Sequence, residues 1–314
     1  MTQRGPACTP VATMDNEEQP PRLILGTVQL GMPYGIANRE GRPSPGEARR
    51  ILEVALANGI RYFDTAQAYG DSERVLGDTL AELGALDTVF ITSKLRATLD
   101  PRDTNQIAQS IEESLERLHL DCLWCMLLHT PAWLACWDEG LGDVLKSFRN
   151  QGRIKHLGVS LGSAEDAPQC LANRDMEVVQ APCNAWDRRM VRNGHLPEFQ
   201  RKGCLATVRS IYLQGLLTMT PEAVKERLPR AHDASVRWHN LARSMGLTAT
   251  ELAMRFALTL KAPLVVGVES VAQLEDTIRL SQLEPLTRGD IDAIADAVDP
   301  ALTIDILEPK RWEQ

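Results

Sequence analysis

Residues 44–73 read SPGEARRILEVALANGIRYFDTAQAYGDSE, and this stretch shows the pattern that repeats along the chain. Its first half predicts a helix over Ser44–Asn58, because a Ser-Pro pair opens the segment and Gly59 closes it. Its second half predicts a short buried strand at Tyr62–Asp64. Helices that alternate with short apolar strands are typical of a parallel sheet covered by helices.

The same alternation continues on both sides of this stretch. Further strands are predicted at Leu23–Leu25, Val89–Thr92, Cys122–Leu128, His156–Val159, Val178–Gln180, Leu205–Val208 and Leu264–Val266. Further helices are predicted at Asp103–Leu118, Asp138–Gln151 and Ser235–Met245. Eight strands alternating with helices, without a break in composition, predict an α/β fold, a (β/α)8 TIM barrel with a closed, parallel, eight-stranded sheet. We expect one such barrel over residues 21–314 and a mobile N-terminal leader over residues 1–20, which lack an apolar segment.

A doubly wound dinucleotide-binding sheet is the main competing architecture. The glycine turn after the first predicted strand, Gly26 to Gly31, does not have the GxGxxG spacing and leads into Pro33 rather than into a helix. The barrel is therefore preferred.

The charge and cysteine content limit the classes of partner. The formal net charge is -8 and no basic stripe is visible, so we expect no nucleic-acid partner. No apolar run reaches the roughly 18 residues of a membrane span, so we expect no membrane partner. Seven scattered cysteines indicate reduced thiols in a cytoplasmic protein. Cys122 and Cys125 lie on one predicted strand and face apart, and with no second Cys/His pair we expect no metal site.

Four ionisable residues lie at or just after the ends of successive predicted strands. Asp64 ends the second strand and Tyr69 follows it, Lys94 follows the third, and His129 follows the fourth. In a TIM barrel the carboxyl ends of the strands form one mouth, where catalytic residues lie. Taken singly, each residue has a structural alternative, such as a helix cap, a solvated lysine or a hydrogen-bonded core histidine. Their order along the chain favours a shared catalytic role.

These residue types suit the reduction of a carbonyl group. A carbonyl that accepts hydride becomes an alkoxide and needs a proton, which Tyr69 can supply if a neighbouring cation stabilises its tyrosinate form. Lys94 can be that cation, with Asp64 as its ion-pair partner. His129 can donate a hydrogen bond that polarises the carbonyl oxygen.

The same residues lie in motifs that resemble those of the aldo-keto reductase superfamily. The run from Asp64 through Tyr69 to Gly77 is similar to the segment around its active-site Asp and Tyr. Thr92-Ser93-Lys94 resembles its lysine motif, and Leu127-Leu128-His129 its histidine motif. The likeness extends from about Leu23 to about Leu283. It implies an oxidoreductase that uses NADPH or NADH on a small carbonyl substrate, with Asp64, Tyr69, Lys94 and His129 as catalytic residues.

The resemblance also implies a set of cofactor-binding residues along the barrel mouth. Those for the nicotinamide and the first-strand turn are Ser160, Gln180, Gly26, Thr27 and Val28. Those in the seventh-strand loop are Arg209, Ser210, Leu213, Gln214 and Gly215. Those for the adenosine end are Gly267, Glu269, Gln273, Asp276 and Thr277.

Three positions depart from the family pattern. Leu161 replaces a frequent asparagine, and Arg209 replaces an aromatic residue that stacks on the nicotinamide. Glu269 lies near the place where relatives that prefer NADPH often carry a cation. A carboxylate there repels a 2′-phosphate, so NADH stays open as the cofactor.

Two functional alternatives and one structural question also stay open. The first function is reduction of aldehydes or ketones, or oxidation of the corresponding alcohols or sugar lactols. The second is a regulatory protein that senses the nicotinamide cofactor, because the segment from Leu25 to Gly35 resembles a bacterial branch that includes such a regulator of cell division. Trp133, Trp137 and Trp186 either line the substrate pocket or serve packing. The sequence does not define the oligomeric state.

Overall fold

The computed structural model describes residues 21–312, which form a closed barrel of eight parallel strands in sequential order. The strands are β1 (Leu23–Gly26), β2 (Tyr62–Asp64), β3 (Phe90–Leu95), β4 (Leu123–Leu128), β5 (Ile154–Ser160), β6 (Val178–Pro182), β7 (Leu205–Arg209) and β8 (Leu264–Gly267). The (β/α)8 prediction is confirmed. The predicted leader lies outside the described residues.

Helices connect successive strands and cover the barrel. They are α1 (Val28–Gly31), α2 (Pro45–Ala57), α3 (Ser72–Glu82), α4 (Thr104–Leu118), α5 (Leu141–Asn150), α6 (Ala167–Ala172), α7 (Arg189–Arg192), α8 (His195–Arg201), α9 (Pro221–Arg227), α10 (His232–Ser244), α11 (Ala249–Leu258), α12 (Val271–Leu280), α13 (Arg288–Val298) and α14 (Ile304–Leu307). Within residues 21–312, no helix combines the length and the apolar character that crossing a bilayer requires.

Two predicted element boundaries are wrong. The helix predicted from Asp138 begins at Leu141, because Gly140 adopts a left-handed φ of 108° and separates α5 from a preceding 3-10 segment. The strand predicted to end at Thr92 continues to Leu95, because it stays paired with β4 as far as Leu128. Lys94 therefore projects from the strand itself rather than from the loop after it.

The strand register brings the polar ends of the strands to one level. Gly26 pairs with both Asp64 and Gly267, and Ser160 lies directly opposite Gln180. Because all strands are parallel, these residues line the carboxyl-terminal mouth of the barrel.

The opposite end of the barrel is filled by apolar side chains. Tyr62 stacks on Phe90 with ring centroids 4.5 Å apart and meets the edge of Trp124 at 5.3 Å. Burial of a large apolar side chain of this kind contributes about 1.5–3 kcal/mol. The base of the barrel is thus closed by packing.

Candidate active site

A buried ion pair lies at the mouth of the barrel. Lys94 Nζ donates to Asp64 Oδ1 at 2.6 Å and to the Thr65 carbonyl oxygen at 2.9 Å. The side chain of Lys94 is 0% exposed and that of Asp64 is 5% exposed. Burial by itself lowers the pKa of Lys94, but the Asp64 carboxylate and Tyr69 outweigh burial and raise this pKa above its ordinary value. Lys94 therefore carries a fixed positive charge.

Tyr69 and His129 lie next to this ion pair. Lys94 Nζ is 4.9 Å from the centroid of the Tyr69 ring, and the ring of His129 meets Tyr69 edge-on with centroids 5.7 Å apart. Burial, together with the smaller effect of the positive charges of Lys94 and Arg209, lowers the pKa of His129 to about 3. His129 is therefore neutral near pH 7 and keeps one ring N–H as a hydrogen-bond donor.

The loop that carries Tyr69 is held by close contact with the turn after β1. The Ser72 hydroxyl donates to the Thr27 carbonyl oxygen at 2.7 Å. A Cβ atom on Gly31 would lie 1.8 Å from the Tyr69 carbonyl oxygen, so only glycine allows the two backbones to approach this closely. The position of Tyr69 thus depends on a residue in the first βα connection.

An amide extends the polar network towards β5 and β6. Gln180 Nε2 donates to Asp64 Oδ2 at 2.7 Å, and the Ser160 hydroxyl lies 3.5 Å from Gln180 Oε1. Both Ser160 and Gln180 are buried. The second oxygen of Asp64 is therefore occupied by a neutral donor.

A cavity of about 370 Å³ opens beside this network and runs from Tyr69 to the region after β8. We call its two ends the Tyr69 end and the β8 end. The predicted site residues that line it are Gly26, Thr27, Val28, Asp64, Tyr69, Arg209, Ser210, Gln214, Gly215, Gly267, Glu269, Gln273, Asp276 and Thr277. Lys94, His129 and Gln180 do not line the cavity but contact Asp64 or Tyr69 as described above, and Ser160 contacts Gln180. Leu213 is buried and is not among the lining residues.

The loop after β7 forms one wall of the cavity. Ser210, Leu213 and Gln214 adopt left-handed φ angles of 62°, 49° and 54°. Such conformations cost of order 1–3 kcal/mol each and persist where neighbours fix them. The Gln214 carbonyl oxygen accepts a hydrogen bond from the Ile36 N–H at 3.0 Å, which joins this wall to the loop after β1.

The β8 end is formed by the first turn of α12. The Glu269 N–H donates to Gln273 Oε1 at 2.8 Å, and the Gln273 N–H donates to the Ser270 hydroxyl at 3.3 Å. The Val271 N–H donates at 2.9 Å to Glu47 Oε1, which comes from the first turn of α2. These bonds occupy three backbone N–H groups at and just before the start of the helix, those of Glu269, Val271 and Gln273.

Two polar residues of the cavity that the sequence analysis did not assign to the site are Tyr34 and Gln29. Both line it, after β1. Tyr34 belongs to a Tyr-Gly pair beyond the first-strand turn, and that pair was the one available signal. Gln29 looked like an ordinary residue of the turn.

The three tryptophans have a packing role. Trp133, Trp137 and Trp186 are 6%, 5% and 2% exposed and lie in the hydrophobic core between barrel and helices. None of them lines the cavity described here.

Comparison with known proteins identifies the family. The model of the "Aldo/keto reductase family" matches residues 22–299, which include the whole barrel. The chain belongs to the aldo/keto reductase family. As an aldo/keto reductase it is 30% identical over 213 residues to the aldo-keto reductase YhdN of Bacillus subtilis, covering 64% of this chain and 62% of that protein. It is 33% identical over 166 residues to the aldo-keto reductase Rv2971 of Mycobacterium tuberculosis, covering 52% and 53%.

Other similarities of this aldo/keto reductase extend further along the chain. Its identity to the L-galactose dehydrogenase of Arabidopsis thaliana is 26% over 303 residues, covering 87% of this chain and 90% of that enzyme. By contrast, the matches to YhdN and Rv2971 span only between half and two thirds of those proteins. The glycerol dehydrogenase AKR11B4 of Gluconobacter oxydans shares the fold with a TM-score of 0.70 at 21% identity, over 90% of this chain and 92% of that one.

Proposed function

We propose that this chain is an NAD(P)H-dependent oxidoreductase that reduces aldehydes or ketones, or oxidises the corresponding alcohols or sugar lactols. Family membership supports the class of reaction. The observation that carries the proposal is the buried Lys94–Asp64 pair beside the ring of Tyr69. The buried ammonium group of Lys94 stabilises the tyrosinate form of Tyr69, so the Tyr69 hydroxyl at the cavity mouth can donate its proton to a carbonyl oxygen.

The donor set and the shape of the cavity fit a nicotinamide cofactor. Ser160 and Gln180 would hold its carboxamide, since both offer hydroxyl or amide groups at the mouth. Gln29 Oε1 is buried without a hydrogen-bond partner among residues 21–312, and a Cβ on Gly267 would lie 2.3 Å from it. The glycine at this point makes room for the Gln29 amide, which lines the cavity with an acceptor oxygen that a bound group could satisfy. When bound, the reduced nicotinamide supplies the hydride.

The residues of the chain handle the proton and the developing charge. The Tyr69 hydroxyl donates its proton to the substrate oxygen as that oxygen becomes an alkoxide. Lys94 stabilises the tyrosinate that remains, and Asp64 keeps Lys94 charged and in place. Neutral His129 donates a hydrogen bond to the same oxygen and polarises the carbonyl before it reacts. In the oxidation of an alcohol, tyrosinate at position 69 takes the proton back.

Replacement of Tyr69 by phenylalanine tests this assignment. Tyr69→Phe should lower kcat for aldehyde reduction by about 10²–10⁴ while the Kd for NADH changes by no more than a few fold, because only the acid is removed. Tyr62→Phe, at the closed base of the barrel, is the matched control and should keep its activity. Near-normal turnover in Tyr69→Phe would rule out its role. Tight cofactor binding by a wild-type protein that turns over no carbonyl would favour the regulatory alternative.

We further propose NADH as the preferred cofactor. Glu269 and Asp276 both line the β8 end, which would receive the adenosine. Arg279, a cation of the following helix that could meet a 2′-phosphate, is engaged with Asp276 at 2.7 Å. The Val271 amide is already bonded to the Glu47 carboxylate. A 2′-phosphate would therefore meet carboxylates and a helix amide that is already used, whereas a ribose hydroxyl can donate to a carboxylate.

A charge reversal tests the cofactor preference. Wild type should bind NADH at least as tightly as NADPH, and Glu269→Lys should shift the ratio of the two Kd values towards NADPH by about ten- to a hundredfold. Glu275→Lys makes the same charge change on an exposed position of α12 outside the cavity and should leave the ratio unchanged. A ratio that is equal in Glu269→Lys and Glu275→Lys would remove Glu269 from the site. Strong preference of wild type for NADPH would refute the NADH assignment.

A further inference from the structure

The last residue of β7, Arg209, brings a positive charge to the cavity. Among the described residues that line the cavity, it is the one cationic side chain. It shares this lining with Tyr69, and its field reaches the catalytic residues, since its charge contributes to the lowered pKa of His129. A positive charge in this position attracts or repels any charged group that binds at the Tyr69 end.

The guanidinium of Arg209 has no acidic partner in the described chain. Its Nη2 donates to the Leu161 carbonyl oxygen at 2.8 Å, and its Nη1 donates to the Ser210 hydroxyl at 3.0 Å. Both acceptors are neutral. Within residues 21–312 no carboxylate oxygen lies within 4.0 Å of its nitrogens, whereas Arg42, Arg117, Arg188 and Arg189 are each paired with a carboxylate. A guanidinium has five N–H donors, so donors remain free after these two bonds.

The other charged groups at the Tyr69 end are already committed. Lys94 is fully buried and neutralised by Asp64. His129 is neutral near pH 7, because its pKa is lowered to about 3. Glu269 and Asp276 lie at the other end of the cavity, and Asp276 faces Arg279. Among residues 21–312, Arg209 therefore supplies the one uncompensated charge at the Tyr69 end of the cavity.

We propose that Arg209 binds an anionic oxygen group, a carboxylate or a phosphate, on the carbonyl substrate. A partly buried guanidinium without a counter-ion gains strongly from a two-pronged bond to such a group. The Leu161 and Ser210 bonds orient its plane before the substrate arrives, so little side-chain freedom is lost on binding. That the anionic ligand is the substrate rests on the proposed function. That Arg209 binds an anion does not depend on the proposed function.

Matched pairs of aldehydes test the specificity. The first pair is 4-oxobutanoate and its methyl ester, and the second is glyceraldehyde 3-phosphate and glyceraldehyde, which separate carboxylate from phosphate recognition. At least one anionic member should exceed its neutral partner in kcat/KM by about tenfold or more in wild type. Arg209→Gln should abolish this preference through KM, so that the ratio of kcat/KM for the anionic aldehyde to that for its neutral partner falls to about one, while Arg209→Lys should keep part of the preference.

Arg61 provides a matched control. It precedes β2 at the closed end of the barrel and also donates to backbone carbonyl oxygens, those of Leu56 and Ile60. Arg61→Gln should retain the full preference of wild type for the anionic aldehydes. A loss of preference equal to that of Arg209→Gln would show a general effect on the fold and overturn the proposal.

A binding experiment separates this proposal from the proposed function. Benzoate, phenyl phosphate and neutral benzamide are titrated against the protein–NADH complex, with nicotinamide fluorescence as the readout and no turnover required. We expect an anion to bind at least about tenfold more tightly than benzamide in wild type, and equally weakly in Arg209→Gln. Anion binding that depends on Arg209 in a protein without carbonyl turnover would leave the anion site standing and refute the proposed function. Equal handling of anionic and neutral compounds by wild type would overturn the anion site. So would an Arg209→Gln variant whose main defect is a weaker Kd for NADH, because Arg209 would then serve the cofactor.

Discussion

The two ends of the cavity are built in different ways. At the Tyr69 end, Asp64 and Lys94 project from strands, are almost fully buried, and satisfy each other directly. At the β8 end, Gln273 and Asp276 are exposed and Glu269 is half-buried, and all three lie in a loop or the first turns of a helix. Strand register therefore fixes the positions of the residues at the Tyr69 end, whereas hydrogen bonds of helix caps and turns fix those at the β8 end. Changes at the first end should therefore affect stability and chemistry together, and changes at the second should affect ligand choice alone.

The largest effect should follow from removal of the buried cation. Lys94→Met leaves the Asp64 carboxylate buried with Gln180 as its remaining side-chain donor, so the free energy of unfolding should fall by about 3–5 kcal/mol. Urea denaturation measures this change. The double variant Lys94→Met/Asp64→Asn removes both charges and should recover part of the stability but none of the activity. Glu269→Gln at the β8 end should cost less than about 1 kcal/mol, and an equal cost of Lys94→Met and Glu269→Gln would break the comparison.

A smaller effect should appear in the pH dependence of stability. The pKa of His129 falls from 6.5 to about 3 on folding, mainly because of burial, so the unfolded chain binds a proton in this window that the folded chain rejects. The contribution of neutral His129 to the free energy of unfolding is complete above about pH 6.5, and it is lost as the pH falls towards 3. His129→Gln should remove this penalty and gain roughly 2–3 kcal/mol relative to wild type between pH 7 and pH 4, discounted for partial exposure of the ring. Parallel curves of unfolding free energy against pH for the two proteins would contradict the neutral state of His129.

The smallest effect should come from Glu47, at the β8 end. Glu47→Ala frees the Val271 N–H and removes one carboxylate, so the Kd for NADPH should improve by about three- to tenfold relative to that for NADH. The free energy of unfolding should change by less than about 1 kcal/mol, since the Ser44 cap remains. Glu53→Ala, on an exposed position of the same helix, is the control. If Glu47→Ala and Glu53→Ala change the ratio of the Kd values for NADPH and NADH equally, Glu47 acts through the helix α2 and not through the Val271 N–H.

The two ends also differ in how far the sequence could predict them. The positions of Asp64, Tyr69 and His129 were predictable because a barrel of parallel strands brings strand ends to one mouth. Lys94 was placed at the correct mouth, although β3 runs on to Leu95 and Lys94 lies within it. An error of three residues in the strand boundary was harmless, because alternation along the strand still turns Lys94 inwards.

The β8 end was predictable only in part. Glu269 and Gln273 do line the cavity, as the family resemblance implied. Nothing local in the sequence, however, indicates that Glu47 reaches the amide of Val271, since 224 residues separate the two. The lining position of Tyr34 likewise depends on how the loop after β1 folds back towards β7. Contacts of this kind follow from loop geometry, for which a single sequence has no periodic signal.

The bond between Ile36 and Gln214 has a kinetic consequence. It joins the loop after β1 to the loop after β7, and the Arg227 guanidinium anchors the first loop again at the carbonyl oxygen of Asn38, 3.1 Å away. These two loops form the rim on one side of the cavity. The mouth can therefore widen on this side only if the hydrogen bond between Ile36 and Gln214 opens. We therefore expect the exchange of a long ligand to slow when the Ile36–Gln214 hydrogen bond holds the two loops together and to quicken when it opens.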